Sequence, residues 1–128
     1  MNTPTGSTSS DTPWPTELRL RKDRKVLAVA FSDGENFDLS AEYLRVHSPS
    51  AEVQGHSPSE RRTVGGKKNV QILEVHPVGN YAVRLVFDDL HSTGLYSWVY
   101  LAELGRDRDA KWQSYLAELA DKKLSREP

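Results

Sequence analysis

The chain has no cysteine among its 128 residues, and this absence constrains its fold and chemistry more than any other feature. It excludes disulfides, thiol catalysis, and sites in which cysteine thiolates hold zinc or an iron–sulfur cluster. A chain of about this length buries roughly two thirds of its unfolded surface. We therefore expect a single domain that is held together by its own apolar core.

The charges are nearly balanced, with 17 lysines and arginines against 18 aspartates and glutamates. This balance gives no electrostatic reason to expect a nucleic acid or an anionic membrane as partner. No apolar run is long enough to span a bilayer, and the N-terminus lacks the hydrophobic region of a signal peptide. We expect a cytoplasmic protein, a monomer or weak homo-oligomer, whose partner is another protein.

Polar and apolar patterns divide the chain. Residues 1–15 are small, polar and proline-spaced, which predicts a disordered tail before a single domain over 16–125. Alternation in "ELRLRKD" and "KVLAVAFSDG" predicts a hairpin, and "NFDL" a further strand. Ser40 is a good N-cap for a short helix, "AEYLRVH". Residues 48–69 have no periodicity and several prolines and glycines, which predicts a mobile loop. The loop is locally basic, and an anion or acidic partner could bind there, although a solvated loop is the favoured interpretation. Its basic residues are Arg61, Arg62, Lys67 and Lys68.

The second half of the chain has a similar pattern. "VQILEVHPVGN" and "YAVRLVFDD" predict strands, and "TGLYSWVYLAEL" starts extended and finishes as a short helix. Apolar residues then recur at helical spacing, which predicts an amphipathic C-terminal helix over 107–124.

A weak internal similarity relates the two halves. Residues 29–44 align with 85–101 so that Phe31 matches Phe87, and each half reads as strand, acidic turn, strand and short helix. The simplest arrangement is a two-layer α+β domain. Its strands would join one antiparallel sheet, with the short helices on one face and the amphipathic helix added at the C-terminus.

Histidines and carboxylates are the candidate metal ligands of this chain. Asp88, Asp89 and His91 lie within one turn and could bind a divalent cation. No pair of histidines has the i, i+4 spacing that places two ligands on one helix face. A solvated turn with a surface histidine is therefore the favoured interpretation. The remaining histidines are His47, His56 and His76.

Three segments together resemble the gamma-butyrobetaine hydroxylase-like N-terminal domain family. They are "LAVAFSDG", "LSAEYLR" and "VGNYAVRLVFDDLHSTGLYSWVYL", and the resemblance extends from about Pro15 to Leu104. It implies a compact α+β fold and a small stand-alone bacterial protein. It also implies that any chemistry in fused members of the family belongs to the attached oxygenase domain.

The resemblance implies a metal site in many members, formed by a Cys-x-Cys-x-x-Cys run and the histidine of the second acidic turn. Here those positions hold Ser48, Ser50 and Val53, with His91 retained, and Leu90 replaces the usual glycine. A serine hydroxyl is a poor substitute for a thiolate, and valine offers no ligand atom. We therefore expect a degenerate zinc site, with no metal and no cofactor.

The favoured function is a non-catalytic accessory or protein-interaction domain. The resemblance adds gene contexts, near polyhydroxyalkanoate genes or with iron–sulfur assembly proteins, but no reaction. The candidate binding surface is the second acidic turn with its neighbouring aromatic residues: Asp88, Asp89, His91, Tyr96 and Trp98.

Two alternatives remain open from the sequence. One is a metal-binding or metal-carrier domain that uses His91 with His47 and His56. The other is a small hydrolase, which would need a deep pocket joining a serine to His76 or His91.

Overall fold

Alternating apolar residues build a first sheet in the computed structural model, which describes residues 12–55 and 58–128. Its strands pair antiparallel in the order β1-β2-β3. They are β1 (Pro15–Leu20), β2 (Val26–Phe31) and β3 (Asn36–Ser40). In β2 every second side chain, from Leu27 to Phe31, is buried, so this strand presents one face to the core. The hairpin and the third strand expected from the sequence are confirmed.

The second sheet repeats this arrangement with β4 (Ile72–Val78), β5 (Ala82–Phe87) and β6 (Leu95–Ser97), antiparallel in the order β4-β5-β6. Because β4 lies at the edge of its sheet, it tolerates Pro77, which has no N–H for a neighbouring strand. The two copies of the internal similarity, 29–44 and 85–101, thus each supply the end of the middle strand and the whole third strand of one sheet.

The antiparallel α+β class is confirmed, but the strands form two sheets among the described residues and not the single sheet we expected. The reason is that the third strand of each unit runs directly into a helix, which takes the chain away from the sheet. The sheets meet instead at the β1–β2 turn, where the Ile72 N–H donates to the Arg24 carbonyl over 2.8 Å. Buried side chains of both sheets share one core.

The described residues contain four α-helices and one 3-10 turn. They are α1 (Ala41–Val46), α2 (Ala51–Gln54), the turn Pro58–Glu60, α3 (Trp98–Arg106) and α4 (Arg108–Asp121). The short helices after β3 and β6 and the C-terminal helix agree with the sequence-based expectations. No described helix has the length and apolar composition that crossing a membrane requires.

Serines begin three of these helices. The Ser40 hydroxyl accepts a hydrogen bond from the Tyr43 N–H, and the Ser97 hydroxyl accepts one from the Tyr100 N–H. Such caps satisfy backbone donors that a helix start leaves without partners. The Ser50 hydroxyl does the same for α2.

The segment over 48–69, expected to have no regular structure, contains α2 and the 3-10 turn. The Arg62 N–H donates to the Val53 carbonyl over 2.7 Å, and the Tyr115 hydroxyl donates to the Val64 carbonyl over 2.6 Å. The sequence did not indicate this structure because α2 depends on the Ser50 cap and the segment is held by contacts with α4. Neither feature produces a periodic pattern of apolar residues. The mobility of this segment in solution stays a prediction.

The ordered domain also extends slightly beyond its expected limits. Pro15 belongs to β1, and the Arg126 guanidinium makes two hydrogen bonds of 2.8 Å to the Glu42 carboxylate. Most of the tail expected over 1–15 lies outside the described residues.

Candidate functional site

The positions at which the resemblance implies metal ligands come together in the fold. We call Ser48, Ser50, Val53 and His91 the ligand-position cluster. The first three follow α1 and extend into α2, whereas His91 lies in the turn after β5. The Ser48 Oγ is 2.8 Å from the His91 Nε2, and all four residues are buried.

Hydrogen bonds within the protein occupy the polar atoms of the ligand-position cluster. The Ser50 Oγ lies 2.6 Å from the Thr93 Oγ1 and accepts from the Glu52 N–H over 3.1 Å. The Ser48 Oγ also accepts from the Ser50 N–H over 3.2 Å. The His91 Nδ1 is 3.0 Å from the Glu52 Oε1. The cluster is therefore a closed hydrogen-bonded unit.

Gly94 allows the two halves of the cluster to approach each other. A Cβ at this position would overlap the Ser48 Oγ and lie 3.2 Å from the Pro49 Cδ. Only glycine fits between these atoms without displacing the serine from His91.

Ser48, His91 and Glu52 are connected in the same order as a serine–histidine–carboxylate triad. A nucleophile must also be reached by its substrate, and Ser48 is 0% exposed and lines none of the described cavities. The other histidine considered for hydrolysis, His76, lies on the edge strand β4 beside Glu74, and its side chain is 44% exposed. In this conformation the triad-like contact stabilises the fold and is closed to substrate.

Burial, together with the nearby Arg45 guanidinium, lowers the pKa of His91 below its ordinary value. Burial also lowers the pKa of His47, whose ring packs against Tyr43 and Tyr115. Both rings are thus held in the neutral form near neutral pH.

The histidines proposed as an alternative metal set are not gathered into one site. His47 and His91 line different cavities, and His56 lies outside the described residues. Over 12–55 and 58–128, no group of three or more histidine, aspartate or glutamate side chains is arranged to hold a metal ion.

The two aspartates of the second acidic turn hold the backbone in place. The Asp88 Oδ1 accepts from the Gln71 N–H over 3.1 Å, and the Asp89 Oδ1 accepts from the His91 N–H over 3.1 Å. Burial opposes ionisation of Asp89, but hydrogen bonds from Lys67, the His91 N–H and Arg45 outweigh it and lower its pKa to about 2.

The structure does not bring the five residues of the predicted binding surface to one surface. Tyr96 is fully buried, and its hydroxyl donates to the Leu44 carbonyl; His91 is also buried. The reason is the alternation along β6, which turns Tyr96 inward and Leu95 outward. Trp98 is partly exposed on the surface, and its role in binding stays a prediction.

Trp98 lies in a concave surface of about 700 Å³ that we call the aromatic groove. Trp14, Tyr81 and Val99 are the most exposed of its large side chains, at 54%, 55% and 61%. None of the lining residues is charged. They are Thr12, Trp14, Pro15, Asn80, Tyr81, Ser97, Trp98 and Val99.

Hydrogen bonds that involve backbone groups hold the residues of the aromatic groove in place. The Trp98 N–H donates to the Tyr81 carbonyl over 3.0 Å, and the Trp98 indole N–H donates to the Asn80 carbonyl over 2.8 Å. Trp14 exchanges hydrogen bonds with Ser32 at the start of β1. Sequence reasoning missed the groove because its aromatic residues come from three separate parts of the chain, although an exposed Trp14 in a polar segment was a signal.

Comparisons with known proteins agree with this fold. The model of the family described as "Gamma-butyrobetaine hydroxylase-like, N-terminal" matches residues 18–102. No protein with a curated description matches the chain.

Three solved structures are similar over most of the chain. Two are NMR solution structures, one 47% identical over 91% of this chain and 92% of the other, and one 50% identical over 100% and 92%. Both have a TM-score of 0.79. The third is a crystal structure of a DUF971-family protein with unknown function from Acidithiobacillus ferrooxidans, 40% identical over 71% of this chain and 91% of that one, with a TM-score of 0.60. The chain therefore belongs to the gamma-butyrobetaine hydroxylase-like N-terminal domain family.

Proposed function

We propose that this protein is a non-catalytic protein-interaction domain whose aromatic groove binds an extended, uncharged segment of a partner protein. The observation that carries the proposal is the groove itself. Three aromatic side chains, Trp14, Tyr81 and Trp98, line one concave surface. Tryptophan and tyrosine supply large contact areas at low cost in side-chain entropy, which is why they dominate the binding energy of many interfaces.

The lining of the groove favours an uncharged partner. Charged residues make up 27% of the chain, yet none of them lines this surface. A charge buried against such a surface would lose its hydration without gaining an ion pair. Apolar side chains and proline rings, which pack on aromatic faces, fit it instead.

The hydrogen-bonding groups of the groove favour an extended backbone. The indole N–H of Trp98 already donates to Asn80. Over 12–55 and 58–128 the structure shows hydrogen bonds of Trp14 only through its backbone, and in our proposal its indole N–H donates to a carbonyl of the bound segment. Proline-containing segments in the polyproline II conformation present such carbonyls to the outside.

The ligand-position cluster supports the non-catalytic part of the proposal. Its serines and histidine bind one another, as expected of a degenerate zinc site in which internal hydrogen bonds have replaced the metal. The resemblance places some family members near polyhydroxyalkanoate genes or with iron–sulfur assembly proteins. Bacterial cytoplasmic proteins from these gene contexts are therefore the first partners to test.

A displayed library of extended peptides tests the proposal directly. Peptides selected on the unaltered protein should be rich in proline and aliphatic residues and free of charge in the contact segment. Tyr81→Ala should weaken their binding by at least about tenfold, because truncated central aromatic residues commonly cost about 2 kcal/mol or more. Leu90→Ala is the matched control, since Leu90 is 83% exposed and lies outside the groove.

Selection of charged peptides, or equal binding by the Tyr81→Ala and Leu90→Ala variants, would contradict the proposal. Tight binding that appears only after deletion of residues 1–11 would also contradict it, because those residues precede Thr12 at the groove and would then be its occupant.

A further inference from the structure

We propose that a second cavity, beside the ligand-position cluster, binds a compact oxyanion such as a phosphate or carboxylate group. We call it the cationic cavity; its volume is about 420 Å³. It shares no residue with the aromatic groove. Its lining residues are Arg45, Glu52, Val53, Arg62, Thr63, Val64, Lys67 and His91.

Arg45 supplies the first observation. Its Nε donates to the Asp89 Oδ2 over 2.8 Å, whereas its Nη1 is buried and has no hydrogen-bond partner among the described residues. A buried donor that belongs to a charged group is costly to leave without an acceptor. An anion oxygen at this guanidinium would remove that cost, and the planar guanidinium matches phosphate and carboxylate oxygens.

The balance of charge supplies the second observation. Arg45 and Lys67 share a single acceptor, the Asp89 Oδ2, at 2.8 and 2.6 Å. The carboxylate of Glu52 contacts His91. One carboxylate therefore serves two cations. Glu52 balances the second of them, because the His91 that it contacts is held neutral, and the net positive charge of the cavity is that of Arg62.

Arg62 adds a third cation at the open side of the cavity. Its side chain is exposed and makes no ion pair or hydrogen bond within the described ranges. Its backbone is fixed, because the Arg62 N–H donates to the Val53 carbonyl over 2.7 Å. A cation whose backbone is held in place, beside two cations that share one carboxylate, attracts a small anion.

Titration of the intact protein with sodium phosphate, followed by amide NMR shifts, tests the inference. Sodium acetate is titrated in parallel, and sodium chloride at the same ionic strength is the control for screening. We expect saturable shifts centred on residues 62–67, Val53 and His91. The anion that binds more tightly identifies whether phosphate or carboxylate is the natural group.

The substitution Arg62→Gln tests whether anion binding depends on this cavity and not on the overall surface charge. It should weaken binding by about fivefold, because a partly exposed ion contact contributes modestly, and it removes no contact of the fold. Arg19→Gln is the matched control, since this exposed arginine lies on β1, outside the cavity, and it should leave the affinity unchanged.

Shifts that fail to saturate with both anions, that chloride reproduces, or that respond equally to both substitutions would overturn the inference. Because the proposed function rests on the aromatic groove, peptide binding by the Arg62→Gln variant distinguishes failure of the anion site from failure of the groove.

Discussion

The ligand-position cluster and the aromatic groove use their side chains in opposite ways. In the cluster, Ser48 and His91 are buried and bind each other. In the groove, Trp14 and Tyr81 lie more than half exposed on a surface that the backbone holds in place. The positions that resemble a metal site therefore carry contacts of the fold, whereas the surface that we propose for recognition is separate from them and shares only Trp98 with the predicted binding surface.

This difference separates stability from binding. Loss of one partner in a buried hydrogen-bonded unit leaves the other unsatisfied, at a cost of about 1–3 kcal/mol. Exposed side chains can be truncated with changes usually within about 0.5 kcal/mol. Substitutions in the cluster should therefore change the free energy of unfolding, and substitutions in the groove should change binding.

The largest effect should come from restoring thiolates to the ligand-position cluster. The combined change Ser48→Cys, Ser50→Cys and Val53→Cys should tighten zinc binding by at least about a thousandfold, because three thiolates and His91 make a complete structural zinc set. Competition with a chromophoric chelator under reducing conditions measures the affinity. Adding His91→Ala to the triple variant is the control, and it should reduce the gain in zinc affinity. A triple variant that binds zinc no better than the unaltered chain would show that these positions do not form a ligand set.

Gly94→Ala should come next, with a loss of about 2–4 kcal/mol in the free energy of unfolding. The added methyl overlaps the Ser48 Oγ, so overpacking and the broken contact with His91 both contribute. Gly34→Ala is the control, because Gly34 has a φ of +92° and no heavy atom within 4 Å of an added Cβ. It should lose only about 1 kcal/mol for its backbone conformation. If urea unfolding shows equal losses of unfolding free energy for Gly94→Ala and Gly34→Ala, Gly94 has no special role in the cluster.

His91→Ala and Tyr81→Ala compare the two regions directly. The first leaves Ser48 and Glu52 without their partner and should cost about 2–3 kcal/mol of unfolding free energy. The second removes an exposed ring and should cost less than about 1 kcal/mol. Reversal of this order in denaturant unfolding would contradict the assignment of the cluster to stability and the groove to binding.

The smallest effect should be a loss of stability on mild acidification. The pKa values of His47 and His91 are lowered by burial from an ordinary value of 6.5. The unfolded chain therefore binds protons at a higher pH than the folded one. Their contribution to stability is complete above about pH 6.5 and declines as the pH falls toward the folded values.

Urea midpoints measured from about pH 7.5 to 5.5 check this direction, because the range spans ordinary histidine titration. His76→Gln, a change at a partly exposed side chain on β4, should retain the decline, whereas His91→Gln should reduce it. An increase in the free energy of unfolding as the pH falls over this range would contradict the burial of the two histidines.

Local patterns allowed much of the fold to be predicted from the sequence. Alternation fixed the strands, the Ser40 cap marked the start of α1, and the match of Phe31 with Phe87 anticipated two similar units. The separation of these units into two sheets could not be predicted. It arises because the third strand of each unit runs directly into a helix, and the sheets meet at the contact of Arg24 with Ile72, which lies outside any local pattern.

The candidate sites also divide into one that followed from the sequence and two that did not. The position of His91 beside Ser48 followed from a family pattern. The aromatic groove and the cationic cavity depend on residues that are distant in sequence, such as Trp14 with Tyr81 and Arg45 with Lys67. Tyr96 was placed wrongly because the sequence does not show which face of a three-residue strand packs inward.

The metal content of tag-free protein purified from its native cell tests most directly whether internal hydrogen bonds have taken the place of a metal in the ligand-position cluster. Elemental analysis by mass spectrometry should find only traces of zinc, iron and other transition metals. Close to one tightly held metal atom per chain, retained through dialysis against a chelator, would contradict the closed cluster of Ser48, Ser50 and His91.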